Sequence, residues 1–155
     1  MASEPESAWA RRLLWAAVLL GSLLRLRQYL HARSLWIDEA MLANNILGRS
    51  FRQLLLPLDL DQSAPVPLLW LTRAVARLAG SDERALRLLP FVGGIMLLVV
   101  FARVAHRLLP LRPAALAVLI AAVSPLLIYY ANELKPYGLD AMWTVVLLLL
   151  ALRVR

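Results

Sequence analysis

Three observations predict the fold class: an all-α, polytopic helical membrane protein with about four transmembrane helices plus interfacial amphipathic helices in a long first outer loop. First, 61% of the 155 residues are hydrophobic, against about 45–50% in an ordinary soluble domain, and mean hydropathy is +0.68. Second, the apolar residues gather into runs nearly free of charge, the pattern of bilayer-spanning segments. Third, the net charge of +7 comes almost wholly from arginines that flank those runs. Arginines so placed suit anionic lipid headgroups, so membrane lipids are expected as partners and nucleic acid is not. The absence of cysteine excludes a disulfide framework and a thiolate metal site.

Residues 1–8 read as a short polar cytoplasmic tail. Arg11 and Arg12 then precede the uncharged run Leu13–Leu24. That run is shorter than the roughly 20 residues a span needs. Arg11, Arg12, Arg25 and Arg27 at its ends can snorkel and lengthen it, which places the first span at about 9–30. A cleaved signal peptide is the alternative; no convincing cleavage site precedes Arg25, which favours a retained helix. The second span, 84–108, is built on Phe91–Ala102 extended back to Leu88. The third, 113–131, lies in the uncharged stretch Pro113–Asn132, with Ser124-Pro125 as a kink. The fourth, 136–153, carries only Asp140 within Pro136–Leu152.

Residues 31–83 separate the first two spans, with interfacial helices expected at about 38–48, 51–58 and 65–79. In the last of these, Arg73 and Arg77 lie one turn apart on one stripe, which suits a helix lying on the membrane better than one crossing it. Four spans with a cytoplasmic N-terminus put 31–83 and the 132–136 loop on the outer face. Arg103, Arg107 and Arg112 then fall in or beside a short inner loop, Arg153 and Arg155 at the inner end, and only Lys135 in the short outer loop, as the positive-inside rule requires. A span at 65–79 would put the two polar clusters described next on opposite faces.

The first cluster is Trp36-Ile37-Asp38-Glu39-Ala40. Ionisable groups at the membrane edge are functional candidates. Acids in a first helical turn also complement the helix dipole, and capping alone explains one carboxylate well and two adequately. Asp38, Asn45 and Arg49 share one face of the helix that follows. Farther on, Asp59-x-Asp61 resembles the acidic motif that holds a metal-bound sugar nucleotide in soluble glycosyltransferases; two carboxylates suit a hard cation. A polar turn before a proline-started helix explains Asp59 better, and Asp61-Gln62 can still face a site.

The second cluster is Asn132-Glu133-Leu134-Lys135-Pro136-Tyr137-Gly138-Leu139-Asp140. Tyr129 and Tyr130 before it suit an interfacial aromatic belt. Pro136 can open the last helix at its first position, and Tyr137 and Asp140 then share a face. Asp140 needs a partner, and Lys135 or an outer-loop arginine is available; a plain structural ion pair is the alternative. His31 and His106 fall on opposite sides and form no joint metal site. The sequence has no Gly-rich phosphate loop, no Ser/His/Asp pattern and no internal repeat.

Taken in order, these elements resemble the N-terminal part of the GT-C glycosyltransferases, polytopic enzymes that take sugars from polyprenyl-phosphate carriers. The resemblance is to bacterial family-39 proteins, protein O-mannosyltransferase-like and related to rhizobial galacturonosyltransferases. Ser34-Leu35-Trp36-Ile37-Asp38-Glu39-Ala40 is similar to their first-loop Asp-Glu motif. Asp61-Gln62-Ser63-Ala64-Pro65 looks like the end of that loop, and Ala85-Leu86-Arg87-Leu88-Leu89-Pro90 like the entry of their second span. Tyr130–Asp140 resembles their second outer loop. The likeness covers residues 10–153.

The resemblance implies sugar transfer with inversion from a polyprenyl-phosphate donor to an acceptor, on the outer face of a bacterial inner membrane. Asp38 would be the general base. Glu39 would orient Asp38 or the acceptor, or bind a metal; a divalent metal is the one cofactor left open. Lys135 and Arg87 would neutralise the leaving phosphate, and Asp61, Glu133, Tyr137 and Asp140 would complete the substrate site. Family members have more spans, so residues 9–155 read as the N-terminal part of a longer protein, with little transfer activity alone. A non-catalytic membrane subunit or lipid-carrier-binding module of the same fold is the competing reading, and a small transporter using Glu133 and Asp140 a third. The sugar, the acceptor and the oligomeric state stay open.

Overall fold

The structure, a computed structural model, describes residues 4–153, and among these all regular structure is helical. Residues 1–3 of the expected tail, and Arg155, lie outside the described residues. Seven α-helices follow in order: α1 (Glu4–His31), α2 (Ile37–Gly48), α3 (Val66–Ala79), α4 (Glu83–Leu108), α5 (Leu111–Val123), α6 (Pro125–Tyr130) and α7 (Tyr137–Ala151). Ala8–His31 and Glu83–Leu108 are long and apolar enough to cross a membrane, and α5 and α7 are shorter apolar helices. At 1.5 Å per residue α1 and α4 each reach roughly 40 Å, more than the ~30 Å hydrocarbon core. Leu19, Leu23, Ile120 and Leu147 point outward from the bundle, as lipid-facing side chains do.

The bundle is held by small residues. Leu14, Ala17 and Val18 of α1 pack with Leu98, Ala102 and Ala105 of α4 and with Ala114, Ala115, Val118 and Ala122 of α5. Without a hydrophobic driving force inside lipid, such alanines matter because they let helix backbones approach. Gly21 lets α1 approach closely: a Cβ there would lie 2.6 Å from Leu98 Cδ1, 2.8 Å from the Ala122 Cβ and 2.9 Å from its Cα. On the other side of α4, Val100 and Val104 pack on Leu149 of α7.

Helix directions follow from which ends meet. The Tyr29 hydroxyl donates to the Arg84 carbonyl at 3.0 Å, the Arg84 guanidinium donates to the Leu30 carbonyl at 3.2 Å, and Tyr29 stacks on Phe91 at 4.3 Å. The C-terminus of α1 therefore sits beside the N-terminus of α4, and everything between them, residues 32–82, starts and finishes at one end of the bundle. The 14 residues of α3 make it about 21 Å long, roughly half the length of α1 or α4. Leu42, Ala43 and Ile46 of α2, Leu54, Leu69 of α3, Leu86 of α4 and Leu134 form a separate apolar cluster at this same end. Arg11, Arg103 and His106 lie together at the opposite end.

Three expectations change. Helix α1 begins at Glu4, inside the segment read as a tail. Residues 51–58 form only a 3-10 turn, Gln53–Leu55, because Pro57 holds Leu56 in an extended conformation (φ −90°, ψ 162°). The third apolar stretch is two helices rather than one kinked span. Pro125 has no N–H to continue α5, and Ser124 ends α5 and caps α6, its Oγ accepting from the Leu127 amide at 3.5 Å. The break strands carbonyls at the end of α5, and Arg25, fully buried in α1, answers them. Its Nη1 donates to the Ala122 carbonyl at 3.1 Å and to that of Gly21 at 2.9 Å, and its Nη2 to Ala121 at 3.4 Å. An arginine expected to snorkel outward instead caps a neighbouring helix.

Gly21→Ala is expected to lower stability by about 1–3 kcal/mol, read as a lower melting temperature in detergent. Melting unchanged from the parent would show that α1 and α5 can part without loss.

Candidate functional site

The site begins with a buried ion pair. Glu39, in the first turn of α2, and Arg87, in the second turn of α4, are both buried. Arg87 Nε donates to Glu39 Oε1 at 2.9 Å and Arg87 Nη2 to Oε2 at 2.6 Å, the bidentate geometry in which a guanidinium matches a carboxylate best. Arg87 also donates to the carbonyls of Arg33 and Ser34, so the α1–α2 connection is tied to α4. Glu39 accepts in addition from the Leu134 amide at 2.7 Å and from the Trp36 amide at 3.4 Å. The second contact is a cap on α2, so the capping reading holds for Glu39. The first draws the α6–α7 loop across a gap of 95 residues.

That anchored loop delivers Lys135. Its Nζ lies 2.8 Å from Asp38 Oδ2 and donates to Gln62 Oε1 at 2.8 Å, while Gln62 Nε2 donates to Asp38 Oδ1 at 2.9 Å. The three side chains close a ring. An ammonium can only donate and a carboxylate only accept, which fixes the orientation of the Gln62 amide between them. The Asp38 side chain is 33% exposed while that of Lys135 is 6% exposed, so the ring opens outward on its carboxylate side. The two polar clusters of the sequence thus meet at one point.

A second link runs beside the first. Trp36 Nε1 donates to Glu133 Oε1 at 2.9 Å. The other oxygen of Glu133 is buried and has no hydrogen-bond partner among the described residues. Burial pushes the Glu133 carboxyl above its ordinary range, against the Trp36 hydrogen bond that lowers it. Asp38 moves the other way: the hydrogen bond from Lys135, then that from Gln62, hold it below its ordinary range. Two carboxyls in adjoining contacts are therefore separated in acidity by their surroundings.

The other candidates fall elsewhere. Asp61 is exposed in a turn where Leu60 and Asp61 both take positive φ (61° and 53°); its neighbour Gln62 reaches the ring instead. Asp59 pairs with Arg49 at 2.8 Å, and its backbone is clamped by Asn45, which donates to the Asp59 carbonyl at 3.1 Å and accepts from its amide at 2.8 Å. The Asp59-x-Asp61 motif is a structural turn here. Tyr137 packs edge-on against Tyr130 at 5.3 Å, and Asp140 is exposed. Lys135, named as a partner for Asp140, pairs with Asp38 because the Leu134–Glu39 contact turns the loop toward α2. Among the described residues neither Tyr137 nor Asp140 makes a polar contact with the ring. A divalent metal does not fit: Glu39 has no exposed oxygen, an ion there would have to displace Arg87, and the described residues hold no cluster of three potential ligands.

Sequence reasoning gave no role of their own to Gln62, named only together with Asp61 as able to face a site, or to Trp36, and passed over Arg33. Gln62 stood inside the loop-end motif but was overshadowed by the adjacent carboxylate. Arg33 stacks on Tyr129 at 4.5 Å and lies 3.8 Å from Glu39; nothing in its local sequence separates it from the many arginines that flank apolar runs.

Comparison with known proteins matches the family described as dolichyl-phosphate-mannose-protein mannosyltransferase over residues 63–155, more than half of the chain. The matched region holds Arg87, Glu133 and Lys135; Asp38, Glu39 and Gln62 precede it. No curated protein and no solved structure matches the chain.

Arg87→Met would leave Glu39 buried without its counter-ion, and a loss of about 3–5 kcal/mol is expected in detergent melting. Glu133→Gln should act in the opposite sense. A folded carboxyl with a raised pKa binds its proton more tightly than the unfolded chain does, so its contribution falls as pH rises through the carboxylate range toward the folded value. The glutamine variant should therefore melt above the parent at neutral pH and lose that advantage in acid; a variant less stable at neutral pH would contradict the assignment.

Proposed function

Since the chain belongs to the dolichyl-phosphate-mannose-protein mannosyltransferase family, we propose that it carries the base-bearing part of a membrane glycosyltransferase, with Asp38 as general base. The protein would sit in a bacterial inner membrane with the Asp38 end outward, four helical passes at about 9–30, 84–108, 113–131 and 136–153, and α2 and α3 at the surface. The observation that carries the reading is the ring: a partly exposed carboxylate and a mostly buried ammonium held 2.8 Å apart at the end of the bundle where residues 32–82 are gathered.

In the proposed reaction the acceptor hydroxyl gives its proton to Asp38 as its oxygen attacks the anomeric carbon of a polyprenyl-phosphate-linked sugar. The new carbon–oxygen bond forms on the face opposite the leaving group, so configuration inverts. The old bond between anomeric carbon and phosphate oxygen breaks with its electron pair going to the phosphate. Negative charge gathers there, and a preoriented cation stabilises it without reorganisation; Lys135 is the group in reach of the site. Arg87 and Glu39, buried and saturated by each other, act as positioning residues: they hold α2 against α4 and aim Asp38. Gln62 joins them by orienting the Asp38 carboxylate.

One observation favours a second reading. Asp38 is already neutralised by Lys135, as it would be in a lipid-carrier-binding module or membrane subunit that kept the fold without the chemistry. Asp38→Asn in the full-length protein separates the two. A general base supplies roughly 10²–10⁴-fold, so transfer from polyprenyl-phosphate-linked sugars in membranes should fall by that factor while melting in detergent is kept. An unchanged rate would remove the base role and favour the non-catalytic reading.

A further inference from the structure

Asp38 is a poor base as it stands. Its Oδ2 is 2.8 Å from an ammonium and its Oδ1 accepts from an amide at 2.9 Å, so both oxygens are engaged before any acceptor arrives. Lys135 is the only lysine in the chain, where every other strong base is an arginine. An arginine fork would lock a carboxylate bidentately, as Arg87 locks Glu39; an ammonium is a point charge on a flexible stem, with rotatable donors that can be handed to another anion. Two of its three N–H groups are taken by Asp38 and Gln62.

The other charged groups around Asp38 are committed. On its own helix Glu39 is neutralised by Arg87 of α4. Arg33, on the connection from α1, lies against Glu39 and Tyr129. Glu133, on the same loop as Lys135, bonds Trp36. On the loop before α3, Gln62 is uncharged and Asp59 pairs with Arg49 of the α2 end. Among the described residues Lys135 is the charged partner of Asp38.

The geometry points to a substrate-armed base: Lys135 holds Asp38 in check, and the phosphate of an incoming polyprenyl-phosphate donor takes the ammonium and frees Asp38 Oδ2 for the acceptor hydroxyl. Gln62 stays on Oδ1 and keeps the carboxylate aimed while Oδ2 is released. Donor binding and base activation become one event, and an acceptor or water that arrives first meets a blocked carboxylate. This inference rests on the lipid-phosphate donor proposed above.

The test is a direct titration of Asp38, independent of turnover. The protein in nanodiscs, labelled with ¹³C at the aspartate carboxyls and assigned with Asp38→Asn, is titrated with and without farnesyl phosphate, whose ³¹P line reports its binding. Removing an opposite charge moves a carboxyl by roughly one to three units, so farnesyl phosphate should raise the Asp38 midpoint by at least about one unit. Farnesol, with the same tail and no phosphate, should leave it in place. In Lys135→Gln the midpoint should already be high and farnesyl phosphate should add nothing; if that variant does not fold, the parent titration decides alone. Farnesyl phosphate that binds without moving the Asp38 midpoint overturns the arming inference and leaves the donor proposal intact. Farnesyl phosphate that does not bind overturns both.

Discussion

The Glu39–Arg87 pair is the interaction on which the rest of this structure depends. A carboxylate removed from water is tolerable only when its charge and its lone pairs are met. Glu39 meets that condition with groups from three separate parts of the chain: Arg87 of α4, the amide of Trp36 at the start of α2, and the amide of Leu134 in the α6–α7 loop. The requirement for satisfaction thereby becomes a requirement for assembly. Once Glu39 is paired, α2 lies on the N-terminal end of α4, the α1–α2 connection is held by Arg87, and the α6–α7 loop is drawn up against α2. The pairing of the partly exposed Asp38 with the buried Lys135 is a consequence of that buried one.

The same rule operates deeper in the bundle with a different partner. The break at Ser124-Pro125 releases carbonyls that lipid cannot satisfy, and Arg25 reaches them from α1. In both places an arginine is used for its fixed fork of donors. The one lysine, by contrast, occupies the ring with Asp38 and Gln62, where a compact and transferable charge is worth more than a rigid one. The division of labour between the two residue types follows their shape.

Much of this was legible in the sequence. The apolar runs and their arginine flanks marked the helical membrane character, and prolines marked several boundaries, because both signals are local. The pairing of Asp-Glu with the distant Glu-x-Lys cluster was expected from topology, since an odd number of crossings between them would have parted them, and Leu69 of α3 packs with α2, Leu86 and Leu134 at the end where they meet. The errors are also local in origin. Residues 51–58 carry a helical pattern that Pro57 interrupts, and Asp61 attracted attention because a carboxylate reads as chemistry more readily than the amide of Gln62 beside it.

By itself the sequence determined the class of protein, the number of apolar segments and the residues available for chemistry, since composition and periodicity act over a turn or two of helix. Only the tertiary structure decided which of them do what. Asp38 and Glu39 are neighbours about 100° apart around one helix, and nothing in the chain says which is turned inward. The packing of α4 and of the α6–α7 loop against α2 makes the choice, burying Glu39 as a structural anchor and leaving Asp38 at the mouth with Lys135. Arg25 likewise reads as a flanking charge, and Arg87 by resemblance as a partner for a phosphate, until contacts across 97 and 48 residues turn them inward, because an uncapped carbonyl or a buried carboxylate is a demand that distant parts of a fold must answer.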